Sequence, residues 1–150
     1  MSTTASASLS GTAGYQFGFA IAAAGDINRD GRMDIVAGPF WYEGPDFKRR
    51  HRFYPAPALP QTAAASTNMF TFIYDFDGDG WPDILVCGRL LFTEIFWYQN
   101  PRGGDGPWKK HFVFHRLYGE SKLFVDVDGD GRPELVGHWN HRWGYLAPDW

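Results

Sequence analysis

Apolar residues in this chain fall in short runs, not in helical stripes. Ile35-Val36-Ala37, Ile84-Leu85-Val86 and Leu135-Val136-Gly137 each follow a cluster rich in Asp and Gly. That punctuation predicts strands joined by turns, and no segment carries the spacing of an amphipathic helix. Strands are expected over residues 16–23, 34–37, 40–42 and 51–54, then 69–74, 83–87, 95–98 and 111–114. A last set is expected over 122–125, 134–137 and 143–146. The chain therefore divides into three units, about 13–56, 66–116 and 117–150, the third lacking its outermost strand. Residues 1–12 are low in complexity and read as a flexible N-terminal segment. Residues 56–66, rich in Pro and Ala, read as a connector.

Each unit carries the same acidic nonapeptide. The copies begin at Asp26, Asp75 and Asp126, spaced 49 and 51 residues apart, a period suited to propeller blades. Oxygen side chains stand at positions 1, 3, 5 and 9, with glycine (Gly31, Gly80, Gly131) at position 6. The predicted ligands are Asp26, Asn28, Asp30 and Asp34 in the first loop, and Asp75, Asp77, Asp79 and Asp83 in the second. The third offers Asp126, Asp128, Asp130 and Glu134. Backbone carbonyls of Arg32, Trp81 and Arg132 at position 7 would add one ligand each. Hard oxygen donors at that spacing suit a structural Ca²⁺ in each loop, about three in all. An EF-hand is excluded, because position 12 is Ala37, Val86 or Gly137 where a glutamate is required. Asn28 replaces an acid in the first loop, with Arg29 and Arg32 beside it, so that loop is expected to bind most weakly.

Charge follows the same division. The formal net charge is −3, yet eleven of the seventeen acids sit in the three loops. Packed like charges repel, and three bound divalent ions would bring the formal charge to +3. Lys48-Arg49-Arg50 is the densest basic run and no basic helix accompanies it, so nucleic acid is a poor partner. A mildly basic surface could meet an acidic glycan. The lone Cys87 follows a β run and reads as a small buried hydrophobe. The apolar stretch 17–24 is too short for a membrane span, and no signal peptide is recognised.

Other features recur in phase. Trp41-Tyr42-Glu43-Gly44-Pro45 answers Trp97-Tyr98-Gln99-Asn100-Pro101, and Arg49-Arg50-His51 answers Lys109-Lys110-His111. Recurrence assigns the aromatic pairs to packing between blades, with sugar stacking as the alternative. His51 and His111 read as structural for the same reason. The segment Gly137-His138-Trp139-Asn140-His141-Arg142-Trp143 departs from the repeat. In a blade, the turn after the second strand lies opposite the turn after the first. Arg89, His138, Asn140, His141 and Arg142 are accordingly the ligand-binding candidates on the face away from the acidic loops. His138 and His141 are also the candidates for acid–base work or a transition metal. A Gly-x-Ser-x-Gly elbow, a phosphate loop and a CxxC pair are all lacking.

The loops and their flanking strands resemble FG-GAP and VCBS-type repeats, the calcium-loop blades of integrin-α-like propellers. Phe17-Gly18 before the first loop and Gly38-Pro39 after it carry the resemblance further. It implies an all-β chain of three four-stranded antiparallel propeller blades, the third incomplete. Calcium would lie in the turn between the first and second strands, in an extracellular or periplasmic setting. Closed propellers of this type usually have more blades than three. The chain is thus expected to be part of a larger propeller, or to close by oligomerisation as two copies giving six blades. The function expected is a calcium-stabilised scaffold for a glycan or protein ligand, without catalysis. Two alternatives stand beside it. One is a sugar-processing lyase or dehydratase domain that uses His138 and His141, since the Trp-Tyr and Lys-Lys-His features are similar to those of aldos-2-ulose dehydratase. The other is a purely structural, self-assembling set of blades.

Overall fold

The computed structural model describes residues 21–55, 68–88, 94–104 and 106–147. Residues 1–12, the 56–66 connector and Arg89 lie outside them. All described regular structure is strand. β1 (Ile21–Gly25), β2 (Asp34–Ala37), β3 (Phe40–Tyr42) and β4 (Arg50–Arg52) form one antiparallel sheet in chain order. β5 (Phe70–Tyr74), β6 (Asp83–Cys87), β7 (Ile95–Gln99) and β8 (Lys109–Phe114) form a second sheet of the same topology. β9 (Tyr118–Val125), β10 (Glu134–Trp139) and β11 (Arg142–Leu146) form the third, of three strands among the described residues. These are propeller blades, and the set is not closed into a barrel.

Strand alternation explains how the blades stack. In β6, Ile84 and Val86 point to one side and Leu85 to the other, so both faces of the central blade are apolar. Ile84, Val86 and Tyr98 join Ile27, Val36, Trp41, Phe53 and Trp108 in a core between blades one and two. Leu85 and Cys87 join Phe76, Ile95, Leu117 and Leu135 in a core between blades two and three. The innermost strands β1 and β5 lie side by side. Burial of one large aliphatic or aromatic side chain contributes roughly 1.5–3 kcal/mol, which makes these two seams the main cohesion of the molecule.

Several boundaries differ from those expected. The outer strand of blade one ends at Arg52, not at residue 54. Phe53 N–H still donates at 3.2 Å to the carbonyl of Pro39, its register partner, but proline has no N–H to return, and the Phe53 carbonyl accepts from Trp108 N–H at 3.0 Å instead, so the ladder stops there. Its ring is fully buried between the blades. β9 begins at Tyr118, four residues before the expected start, and crosses a register shift opposite Val136 and His138. β10 runs to Trp139 and β11 starts at Arg142, so the segment expected as a loop is a tight hairpin. Asn140 and His141 alone make its turn, with φ of 47° and 61°. Positive φ at both central residues matches the twist of a two-residue hairpin, and Asn tolerates it.

Candidate metal centres in the turns of the blades

Each acidic turn connects the first strand of a blade to the second. The position-1 carboxylate organises it. Asp26 accepts from Asp30 N–H and Gly31 N–H, both at 2.9 Å. Asp75 accepts from Asp79 N–H at 3.0 Å and Gly80 N–H at 2.8 Å. Asp126 accepts from Gly129 N–H at 2.7 Å and Gly131 N–H at 3.0 Å. Position 3 (Asn28, Asp77, Asp128) accepts from the position-5 N–H in all three loops, at 3.1, 3.1 and 3.2 Å. The chain turns so sharply at position 6 that Gly31, Gly80 and Gly131 have φ near 84°, 87° and 88°. A Cβ would be strained there. Position 4 is also left-handed, with Gly78 and Gly129 in two loops but Arg29, at φ 59°, in the first.

The position-9 residues are the buried ones. Asp34, Asp83 and Glu134 are nearly inaccessible, and each closes its loop by accepting the position-2 N–H, at 2.9, 3.0 and 2.7 Å. Asp34 also accepts from Gly44 N–H, and Asp83 from Asn100 N–H, which ties each loop to the end of the third strand of its blade. Burial pushes the Asp83 carboxyl up to about 7, with Asp77 and Asp79 nearby adding to the rise against two backbone hydrogen bonds. Burial raises the Asp34 carboxyl too.

The three loops differ in what they gather. In the third, Asp126, Asp128, Asp130 and Glu134 each bring an oxygen within 4.8 Å of the others. In the second, Asp75, Asp77 and Asp83 do so, but Asp79 does not join them. Asp79 Oδ2 is instead 2.8 Å from Arg102 Nε, and the Arg102 hydrogen bond holds the Asp79 carboxyl below the usual carboxylate range. Among the described residues the carboxylates of the first loop, whose position 3 is Asn28, form no such cluster. Arg32 and Arg132 are exposed and Trp81 half-buried. A donor set made only of carboxylate and amide oxygens fits a hard cation and no soft one.

The candidates on the opposite side are only partly assembled. The hairpin turn of blade three lies at the other end of β10 from the acidic turn, as expected. The rings of His138 and His141 are 6.4 Å apart, and Trp143 stands 5.5 Å from His138. Among the described residues no third metal-ligating side chain groups with the two histidines. Asn140 and Arg142 are exposed beside them. The aromatic pairs are in packing positions. Trp41 is buried in the seam between blades and stacks on His51 at 4.1 Å, and Trp97 stacks on His111 at 4.0 Å. His51 Nε2 lies 2.6 Å from Glu43, and His111 Nε2 lies 3.1 Å from Gln99.

Three residues escaped the sequence reading. Arg102 and Gln99 reach the second loop, Gln99 Nε2 donating to Asp77 at 2.5 Å. Asn100 is buried and donates to the carbonyls of Ile27 and Pro82, both at 2.9 Å, so it bonds to two acidic turns at once. The signal available for them was their place just after Trp97-Tyr98, at the end of the strand that runs back toward the loop.

Repeated antiparallel blades with an acidic turn at the same place in each define a β-propeller-type repeat module. Residues 75–137, from the second acidic turn into β10, match the FG-GAP-like repeat family, and the chain carries an FG-GAP-type repeat. No curated protein and no solved structure matches the chain. Among the described residues no helix is long and apolar enough to cross a membrane.

Proposed function

We propose that this is a calcium-stabilised propeller module, with structural Ca²⁺ in its acidic turns and a blade surface that binds a glycan. The observation that carries the reading is the third turn, where four carboxylates converge within 4.8 Å. Without a cation such a group repels itself, and with one it becomes a clamp on the turn. Asp126, Asp128, Asp130 and Glu134 would hold the ion there, and Asp75, Asp77 and Asp83 in the second turn. The ion supplies charge neutralisation and cross-linking. The chain itself supplies the preformed turn, through its Asx hydrogen bonds and left-handed glycines. A calcium demand in the range of about 0.1–1 mM, as extracellular modules have, would suit an extracellular or periplasmic setting. Thermal melts in chelator and in millimolar calcium test this, with a rise of several degrees expected. Identical melting temperatures would refute it.

The glycan reading is supported by the tip of the third blade, where Trp143 is 70% exposed beside His138, His141 and Arg142. An exposed indole flanked by polar donors suits a sugar face and its hydroxyls. Titration of acidic oligosaccharides against wild type and Trp143→Ala checks it, and equal binding by the two would sink it. A protein ligand is the alternative outcome of a pull-down with the same variant. A second copy is proposed as the partner of the third blade. Leu123, Val136 and Tyr145 lie in one cross-strand row, the row that Phe72, Leu85 and Trp97 form in blade two. Blade two buries Leu85 of that row against blade three, whereas Leu123 and Tyr145 are exposed.

A further inference from the structure

We infer that Arg102 is a built-in counter-cation of the second acidic turn, which a calcium ion has to displace. This inference rests on the calcium reading above. The second and third turns share most of their sequence and internal bonding, differing in that Asp75 accepts from the position-5 N–H where Asp126 accepts from the position-4 N–H, and in Asp83 standing where the third turn has Glu134. The position-1 carboxylate accepts the position-6 N–H at 2.8 Å in one and 3.0 Å in the other. The position-5 carboxylate accepts the position-7 N–H at 2.8 and 2.7 Å. Yet the third turn brings its position-5 acid, Asp130, into the cluster, and the second leaves Asp79 out.

A further difference comes from outside the loop, and it acts on the position-5 acid itself. Asp79 Oδ2 is held at 2.8 Å by Arg102, and Asp77 Oδ2 at 2.5 Å by Gln99. In blade three the place of Gln99 is taken by Ala147, since Tyr98 pairs with Ile84 as Leu146 pairs with Leu135. Alanine has no donor to lend. Arg102 is itself set by its turn. Its φ is 57°, and Gly103 N–H donates to Asn100 while Gly104 N–H donates to Pro101. The Arg102 side chain is 67% exposed, so it can swing away at little cost. Until it does, a guanidinium occupies the Asp79 oxygen that a cation needs, and adds a positive charge beside it.

The consequence is two unequal sites in one chain, the third turn tight and the second weaker and more sensitive to salt. A guanidinium pushed off Asp79 but kept within about 6 Å of the ion by its turn would still repel it through water by enough to lower affinity roughly tenfold. Removing the guanidinium should restore about that factor. Calcium titration calorimetry on wild type, Arg102→Gln and Arg102→Lys tests the inference, with Asp77→Asn and Asp128→Asn assigning each class of heat to its turn. The expected result is two classes in wild type. Arg102→Gln should tighten the second-turn class about tenfold and leave the third-turn class unchanged, with the lysine variant in between. High salt should shrink the gap between wild type and Arg102→Gln. A second-turn affinity that is unchanged or weakened in Arg102→Gln overturns the inference and makes Arg102 an orienting partner of Asp79. That outcome is distinct from a failure of the calcium reading itself, in which neither turn gives heat in any variant.

Discussion

The buried Asp83 carboxyl makes a sharp prediction about pH. It is 1% exposed, accepts from Phe76 N–H and Asn100 N–H, and is raised from an ordinary value of 3.8 to about 7, chiefly by burial. A carboxyl whose folded pKa lies above its unfolded one holds a proton in the folded state that the unfolded chain has released. Its contribution to stability is therefore full below about pH 4, declines through the window up to about 7, and is lost above it. At 1.36 kcal/mol per unit the shift sets an upper limit of roughly 4 kcal/mol for the metal-free protein. Asp34, also raised by burial, acts in the same sense. Calcium competes with that proton, so its stabilising effect should grow as pH rises from 6 to 8. The assay is urea unfolding at pH 5, 6, 7 and 8, in chelator and in calcium, for wild type and Asp83→Asn. The variant cannot ionise, and comparing the two isolates Asp83 from the histidines. It should also lose about 1–3 kcal/mol at low pH, because an amide NH₂ would face one of the two backbone donors. If the metal-free pH profiles of the two proteins run parallel, the reasoning about Asp83 is wrong.

Other outcomes follow from single contacts. Phe53→Ala empties a fully buried site between blades one and two and should cost about 3–5 kcal/mol in urea unfolding, with calcium affinity at the third turn unchanged. Gly44→Ala would put a Cβ 2.1 Å from the Met33 carbonyl and disturb the Gly44 N–H bond to Asp34, so a loss of about 1–3 kcal/mol or more is expected from the same assay. Tyr145→Lys places a charge in the exposed row of blade three. It should yield monomers in light scattering where wild type is expected to give dimers, with the melting temperature of the monomer within a few degrees.

Much of this architecture could be read from the chain because the repeat states it three times. β2, β3 and β6 have the bounds that the runs after each acidic loop imply, and the third sheet lacks a fourth strand among the described residues. What was hidden depended on partners distant in sequence. Phe53 looks like a strand residue, but its register partner Pro39 has no N–H to return and its carbonyl is taken by Trp108 of the next blade. Asn140-His141 looks like a loop, because nothing local shows that β10 and β11 stay paired up to the turn. The acidic side chains of each turn were plain from spacing. The side chains that reach them from elsewhere were not, since Arg102 meets Asp79 across 23 residues and Asn100 meets Ile27 across 73. The buried Lys122, whose ammonium donates to Gly119 and lies over the Phe70 ring, carried no signal at all in its polar neighbourhood Glu120-Ser121-Lys122.

Asn100 and the Phe53–Trp108 main-chain bond add directional hydrogen bonds to the apolar seam of the first two blades, whereas among the described residues the seam to the third is chiefly apolar, around Leu117 and Leu135, with Lys122 over the Phe70 ring. Those two kinds of joint respond differently to cooling. Apolar adhesion weakens toward freezing while amide-to-carbonyl links persist. The third blade is therefore expected to loosen first in the cold, and hydrogen exchange there should rise before that of the Trp108 amide bonded to Phe53.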